Sequence, residues 1–167
     1  FILGHIGMTI IVFFLASLAF PSLKKHLDYR FVALGALLPD LIDKPIGRIF
    51  FEDIFASGRL FGHTLAFVIV ILIGGYVYFR QKRDSRIMLV AVASFLHLLE
   101  DQMWKIPKIF FWPLFGWKFP QGYHYGSFLE YFMNIVKHVY SPEFTFALIS
   151  EFIGLLVILL LVYKFSK

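Results

Sequence analysis

There is no cysteine anywhere in the chain. That excludes disulfides, thiolate nucleophiles and cysteine-type zinc sites, so any metal must be held by nitrogen and oxygen ligands. Charge is scarce as well: 16% of residues are Asp, Glu, Lys or Arg, against about a quarter in ordinary soluble domains. Internal repeats and low-complexity tracts are lacking, and so are a Gly-x-Ser-x-Gly elbow, a phosphate-binding glycine loop and a dinucleotide fingerprint. Serine-hydrolase, P-loop and Rossmann chemistry thus have no support.

What is abundant is apolar surface. The 167 residues are 59% hydrophobic and 20% aromatic, with a mean hydropathy of +0.76. This is the composition of an integral membrane protein, and the length suits one domain, so residues 1–167 read as a single integral-membrane helical domain. The formal net charge of +5 comes without a basic stripe on a soluble recognition fold. It reads as membrane topology, and no nucleic-acid partner is expected.

Residues 2–20 are nearly all apolar and long enough to span a bilayer. They read as a retained helix rather than a signal peptide, although Ala16-Ser17-Leu18-Ala19 has the small residues of a cleavage site. A polar loop with Lys24, Lys25, His26, Asp28 and Arg30 follows. Residues 31–38 read as a partial helix of about 12 Å, or as the end of one starting nearer Leu27. The mixed stretch 43–59, with Phe50, Phe51 and Phe55, suits an amphipathic interfacial segment. Gly62-His63-Thr64 opens a second span reaching Phe79, in which Gly74-Gly75 allows close helix packing.

After the basic loop 80–86, residues 87–99 return through the membrane. Residues 103–125, with all three Trp and prolines at 107, 113 and 120, form an interfacial aromatic belt with turns. Residues 127–139 are amphipathic, with Lys137 and His138 on the polar side, and 144–163 form a last span carrying Glu151. The expected fold is therefore all-α: a polytopic transmembrane helical bundle of about four spanning helices, with a partial helix and interfacial helices.

The positive-inside rule places loop 80–86 in the cytoplasm. Alternation then brings Lys24, Lys25, Arg30, Lys164 and Lys167 to that same side. It also delivers His5, Asp40, Asp43, His63, His97 and Asp101 to the opposite, extracytoplasmic end. Ionisable residues at membrane depth are functional candidates, because an unpaired charge there is costly. His97 and Asp101 lie four apart and Asp40 and Asp43 three apart, so each pair shares a helix face. A His/Asp set without Cys suits Zn²⁺, and also Mn²⁺ or another divalent metal, as one or two ions. The expected ligands are His5, Asp40, His63, His97 and Asp101. Asp43 is read as a further ligand or the general base. Glu151, about 10 Å into its helix from the outer end, is read as a contact to a ligating histidine or as a proton-handling group, with a protonated structural Glu as the equal alternative.

The string of His5, Gly35-Ala36-Leu37-Leu38-Pro39-Asp40-Leu41-Ile42-Asp43, Gly62-His63-Thr64, His97-Leu98-Leu99-Glu100-Asp101 and Trp112-Pro113-Leu114 resembles the YdjM-like family of membrane-bound metal-dependent hydrolases. These are also described as LexA-binding inner-membrane hydrolases. The resemblance runs from His5 to about Trp117 and implies a distant relation to zinc-dependent phospholipase C, hence phosphoester chemistry. One departure is visible: where the family shows a His-Arg-Gly-x-Thr-His-Ser-like string, Gly58-Arg59-Leu60-Phe61-Gly62-His63-Thr64 keeps Arg59, His63 and a hydroxyl but not the first histidine.

The reading is a metal-dependent phosphoester hydrolase of the inner membrane. Arg59, with Lys44 or Arg48, would hold phosphate oxygens. The substrate would be a lipid or another amphiphilic phosphorylated molecule arriving beside the 104–119 belt. Membrane lipids are the expected partners and an oligomer is allowed. A small non-enzymatic membrane subunit with a structural metal or polar cluster is the alternative. Ion transport ranks last, because 152–162 carries no ionisable residue.

Overall fold

The computed structural model describes residues 2–139 and 145–165, and among them it is helical with no strand. Eight α-helices follow in order: α1 (Ile2–Ala19), α2 (Tyr29–Pro45), α3 (Glu52–Phe55), α4 (Leu65–Lys82), α5 (Arg86–Glu100), α6 (Pro107–Phe110), α7 (Phe128–Val139) and α8 (Thr145–Phe165). Short 3₁₀ turns at Pro21–His26 and Met103–Lys105 and a π-helical turn at Ile46–Phe50 join them.

The partial helix expected over 31–38 is a full 17-residue helix. Asp28 caps it, accepting from Arg30 N at 3.1 Å and from the Arg30 guanidinium. That pairing holds the Asp28 carboxyl below the usual carboxylate range. At the other end the apolar run stops at Pro39, but the helix continues to Pro45 with Asp40 and Asp43 inside it. Among the described residues two helices, α1 and α4, are long and apolar enough to cross a membrane. This is fewer than the four expected. α5 has only 15 residues and α2 mixes charge into its last turns, while the apolar window found in α8 runs over Leu148–Leu160.

The packing is close and has a consistent direction. α1 and α8 run parallel: a Cβ added at Gly4 would meet Ser150 and Glu151, and one at Gly7 would lie 2.2 Å from Gly154 Cα. α2 and α5 are also parallel. Val32 clusters with Leu89, Gly35 faces Val90 and Ala93, and Ala36 meets His97. α4 runs against α5, with Gly75 opposite Met88 and Val68 packed with Leu98. Of the glycine pair in α4 only Gly75 makes this approach, since Gly74 faces open space. Glycine contacts of this kind matter in lipid, where helices associate through van der Waals fit.

Ile10, Phe13, Val32, Leu89 and Ala93 form the core shared by α1, α2 and α5. A second cluster, Val68, Leu98, Met103, Ile109 and Phe110, fastens α6 to α4 and α5. Because the helices alternate, loop 21–28 meets residues 83–86 at one end, where Ser85 Oγ donates to the His26 carbonyl at 2.9 Å. The 57–64 loop and the end of α5 meet at the other. The side chains of His138 and Lys164, and residue Lys167, lie outside the described residues.

Candidate metal centre

Pro39 prepares the α2 face of the site. It has no N–H, so the Gly35 carbonyl four residues earlier has no helical donor. Ser94 Oγ, from α5, takes that carbonyl at 3.0 Å. On the next carbonyl, His97 Nδ1 donates to Ala36 O at 2.7 Å. Because a carbonyl can only accept, this bond fixes the proton of His97 on Nδ1 and leaves Nε2 with its lone pair.

Asp43, one turn beyond Pro39, is fully buried. It accepts the backbone N–H groups of Leu60 (2.6 Å), Gly62 (2.8 Å) and His63 (3.1 Å), and the His63 ring at Nδ1 (2.7 Å). Both of its oxygens face the 60–63 loop. Gly62 is required for that docking, because a Cβ there would lie 2.9 Å from the Pro39 carbonyl oxygen. Thr64 then caps α4, accepting from Phe67 N at 3.1 Å. Like His97, His63 is left with Nε2 as its free acceptor.

α1 and α5 complete the set. His5 Nδ1 lies 2.6 Å from Glu100 Oε2, whose other oxygen accepts from Thr9 Oγ1 at 3.0 Å. His5 Nε2 is 3.2 Å from Asp101 Oδ1. Asp101 Oδ2 takes Arg59 through Nε and Nη2, each at 2.9 Å. Burial opposes charge on Asp101, yet the His5 hydrogen bond and the Arg59 charge hold its carboxyl far below the usual carboxylate range. Asp40 Oδ2 is paired with Lys44 Nζ at 2.6 Å.

Three imidazoles thus have Nδ1 tied to an acceptor and Nε2 turned inward. His63 Nε2 is 3.3 Å from His97 Nε2, 3.6 Å from Asp40 Oδ1 and 3.7 Å from Asp101 Oδ2, and His97 Nε2 is 3.9 Å from Asp40 Oδ1. Two bare lone pairs at 3.3 Å repel unless a proton or a cation lies between them. Ligand atoms about 2.0–2.1 Å from a tetrahedral zinc stand about 3.3–3.4 Å apart, so the two nitrogens already have a ligand spacing and the carboxylate oxygens are slightly wider. Within this cluster, His5, His97 and Asp101 form one group able to hold a metal ion, and Asp40, His63 and His97 form another. The residues present fit a divalent metal.

His5, Asp40, His63, His97 and Asp101 are therefore brought together from α1, α2, the 57–64 loop and α5. Asp43 is placed behind His63, where it orients the ring and the loop. Arg59 is placed on Asp101, with its side chain 44% exposed. Glu151 stands apart from the cluster, accepting from the amides of Leu3 (3.3 Å) and Gly4 (2.9 Å). Arg48 turns away toward the 123–131 region: Nη1 donates to Tyr123 O at 2.7 Å, and its guanidinium sits over the rings of Tyr125 and Tyr131. Thr9, Ser94, Glu100 and the Ala36 carbonyl belong to the site without having been singled out from sequence. Polar residues on otherwise apolar helix faces, and a proline four residues after Gly35, are the signals that mark them.

The profile of the YdjM inner membrane protein family matches residues 2–167. The chain belongs to this family. It is thus an inner membrane protein, and the apolar α1 and α4 are consistent with insertion. Comparison with curated proteins and with solved structures returns no match. The matched residues 2–167 include every residue of the His/Asp cluster.

Proposed function

We propose that this YdjM-family chain is a membrane-embedded, metal-dependent hydrolase that cleaves a phosphoester of a lipid or lipid-like substrate. The observation that carries the reading is the convergence of three histidine Nε2 atoms, each ring fixed from behind, on the inward oxygens of Asp40 and Asp101. A bound divalent metal, Zn²⁺ or Mn²⁺, would supply an acidified water and polarise a phosphoryl oxygen. His5, Asp40, His63, His97 and Asp101 would hold the ion. Asp43, Glu100 and the Ala36 carbonyl orient three of those ligands, in the manner that sets ligand basicity in metal sites. Lys44 and Arg59, both partly exposed beside the ligand carboxylates, offer N–H donors to phosphate oxygens.

Topology supports an amphiphilic substrate. Lys24, Lys25, Arg30, Arg83 and Arg86 lie at the end of the bundle away from the cluster. By the positive-inside rule this puts the centre at the extracytoplasmic end, with α1, α4, α5 and α8 as the spanning set and α2 carrying the chain back across between α1 and α4. At the centre's end, Phe61 packs against Trp112 and Phe119, and Trp112 against Trp117. This aromatic group stands where interfacial rings meet headgroups. Membrane lipids are the proposed partners, and self-association is compatible with the exposed apolar helices.

The second reading is a non-enzymatic membrane subunit with a structural cluster. It draws on the pairing of both ligand carboxylates with cations, Lys44 on Asp40 and Arg59 on Asp101. The deciding experiment is release of phosphorylated headgroup from mixed-lipid vesicles by the metal-loaded protein and by Asp40→Ala. Turnover that falls at least a hundredfold in the variant supports the hydrolase. Metal binding with no turnover on any phospholipid or phosphorylated lipid supports the structural cluster.

A further inference from the structure

We infer that the centre holds one divalent ion and not two. The inference rests on the metal centre proposed above and concerns how its donors divide. His97 belongs to both metal-holding groups, His5–His97–Asp101 and Asp40–His63–His97. Its Nδ1 is committed to the Ala36 carbonyl, so it offers one lone pair, and one imidazole nitrogen serves one ion. His5 and His63 are limited in the same way by Glu100 and Asp43.

Two ions would need a carboxylate bridge to make up the missing donors. Asp101 alone turns an oxygen to each group, Oδ1 to His5 Nε2 at 3.2 Å and Oδ2 to His63 Nε2 at 3.7 Å, but each ligand carboxylate has one oxygen already held by a cation. Asp40 Oδ2 has the Lys44 ammonium at 2.6 Å, and Asp101 Oδ2 has the Arg59 guanidinium at 2.9 Å. A second dication on either oxygen would sit directly against a fixed positive charge. Asp43 takes four N–H donors, and Glu100 is divided between His5 and Thr9. Neither has an oxygen turned to the centre.

Charge gives the same answer from an independent direction. With neutral imidazoles, the carboxylates of Asp40, Asp43, Glu100 and Asp101 face the cations of Lys44 and Arg59. Two negative charges remain, the complement of one divalent ion. A second ion would leave two positive charges uncompensated at the end of an apolar bundle, where desolvation makes them costly.

The test uses the full chain in nanodiscs, stripped by chelator and titrated with Co²⁺. Bound metal is counted by elemental analysis and followed by its visible spectrum. One equivalent per chain, saturating in a single phase, is expected. His63→Gln and, separately, His5→Gln should each lower occupancy at stoichiometric Co²⁺ at least tenfold with helix content unchanged, because all donors serve one ion. Two equivalents in the wild-type chain, or half of the occupancy surviving in a folded histidine variant, overturn the inference and leave the hydrolase reading standing. A folded wild-type chain that binds no Co²⁺ or Zn²⁺ removes the centre and the proposed hydrolase together.

Discussion

The Asp43 carboxylate receives the His63 ring at 2.7 Å and, through the same two oxygens, the backbone of the loop that carries that ring. A single buried anion thereby sets both where His63 is and which nitrogen it offers. Asp43→Asn replaces one acceptor oxygen by a donor amide facing N–H groups. Metal affinity should fall about 10–100-fold, and stability should drop by about 1–3 kcal/mol from the donors left unpaired. Chelator competition and thermal unfolding in the same detergent measure the two effects separately. An Asn variant with unchanged affinity would show that His63 needs no orienting partner.

Glu100 does for His5 what Asp43 does for His63, but from a partly exposed position and with Thr9 as its second partner. Glu100→Gln should weaken metal binding by about tenfold, the low end for an orienting group. Thr9→Val should have a smaller effect in the same direction. Isothermal titration with Zn²⁺ resolves this order, and a reversed order would argue against the Glu100–His5 pair as the orienting contact.

Protons and metal compete for the three Nε2 lone pairs. Acidification should therefore release the ion, and affinity should rise with pH until hydroxide competes. Equilibrium dialysis between pH 5 and 8 gives the slope. Binding that is flat across this window would mean that carboxylates alone hold the ion.

Packing between α1 and α8 is separable from the centre. Gly7→Leu would drive a side chain into the Gly154 backbone and should destabilise the bundle by about 1–3 kcal/mol. Glu151→Gln should cost less, since its amide oxygen still accepts from Gly4. Both variants should keep the wild-type metal stoichiometry as long as they fold. Loss of metal from folded Glu151→Gln would draw that residue into the centre after all.

The part of this architecture legible in sequence is the part governed by alternation and charge. Counting apolar runs and following Lys and Arg was enough to bring His5, Asp40, His63, His97 and Asp101 to one end, because each crossing reverses direction whatever its exact length. Helix boundaries were less legible. Pro39 looked like a terminus, yet a proline inside a helix is tolerated when a neighbour takes the freed carbonyl, and Ser94 does so from 59 residues away. The behaviour of Asp43 and Glu100 was hidden for a related reason: a carboxylate that ligates and one that orients a ligand have the same spacing and differ only in which donors meet them in space. Glu151 looked chemically poised because it is a lone charge in an apolar helix, but the amides it pairs with belong to α1, which no local pattern in α8 reveals.

Pro39 is where stability and chemistry pull in opposite directions. On helix propensity alone, Pro39→Ala is a gain of about 3 kcal/mol. In this bundle it would hand the Gly35 carbonyl back to its own helix, strand the buried Ser94 hydroxyl and loosen the hold of α2 on α5. The variant should melt at a temperature no lower than the parent chain and bind metal more weakly, a combination that thermal unfolding and metal titration would show together. A sequence optimised for a regular α2 would thus erase the free carbonyl by which that helix grips α5 one turn before His97.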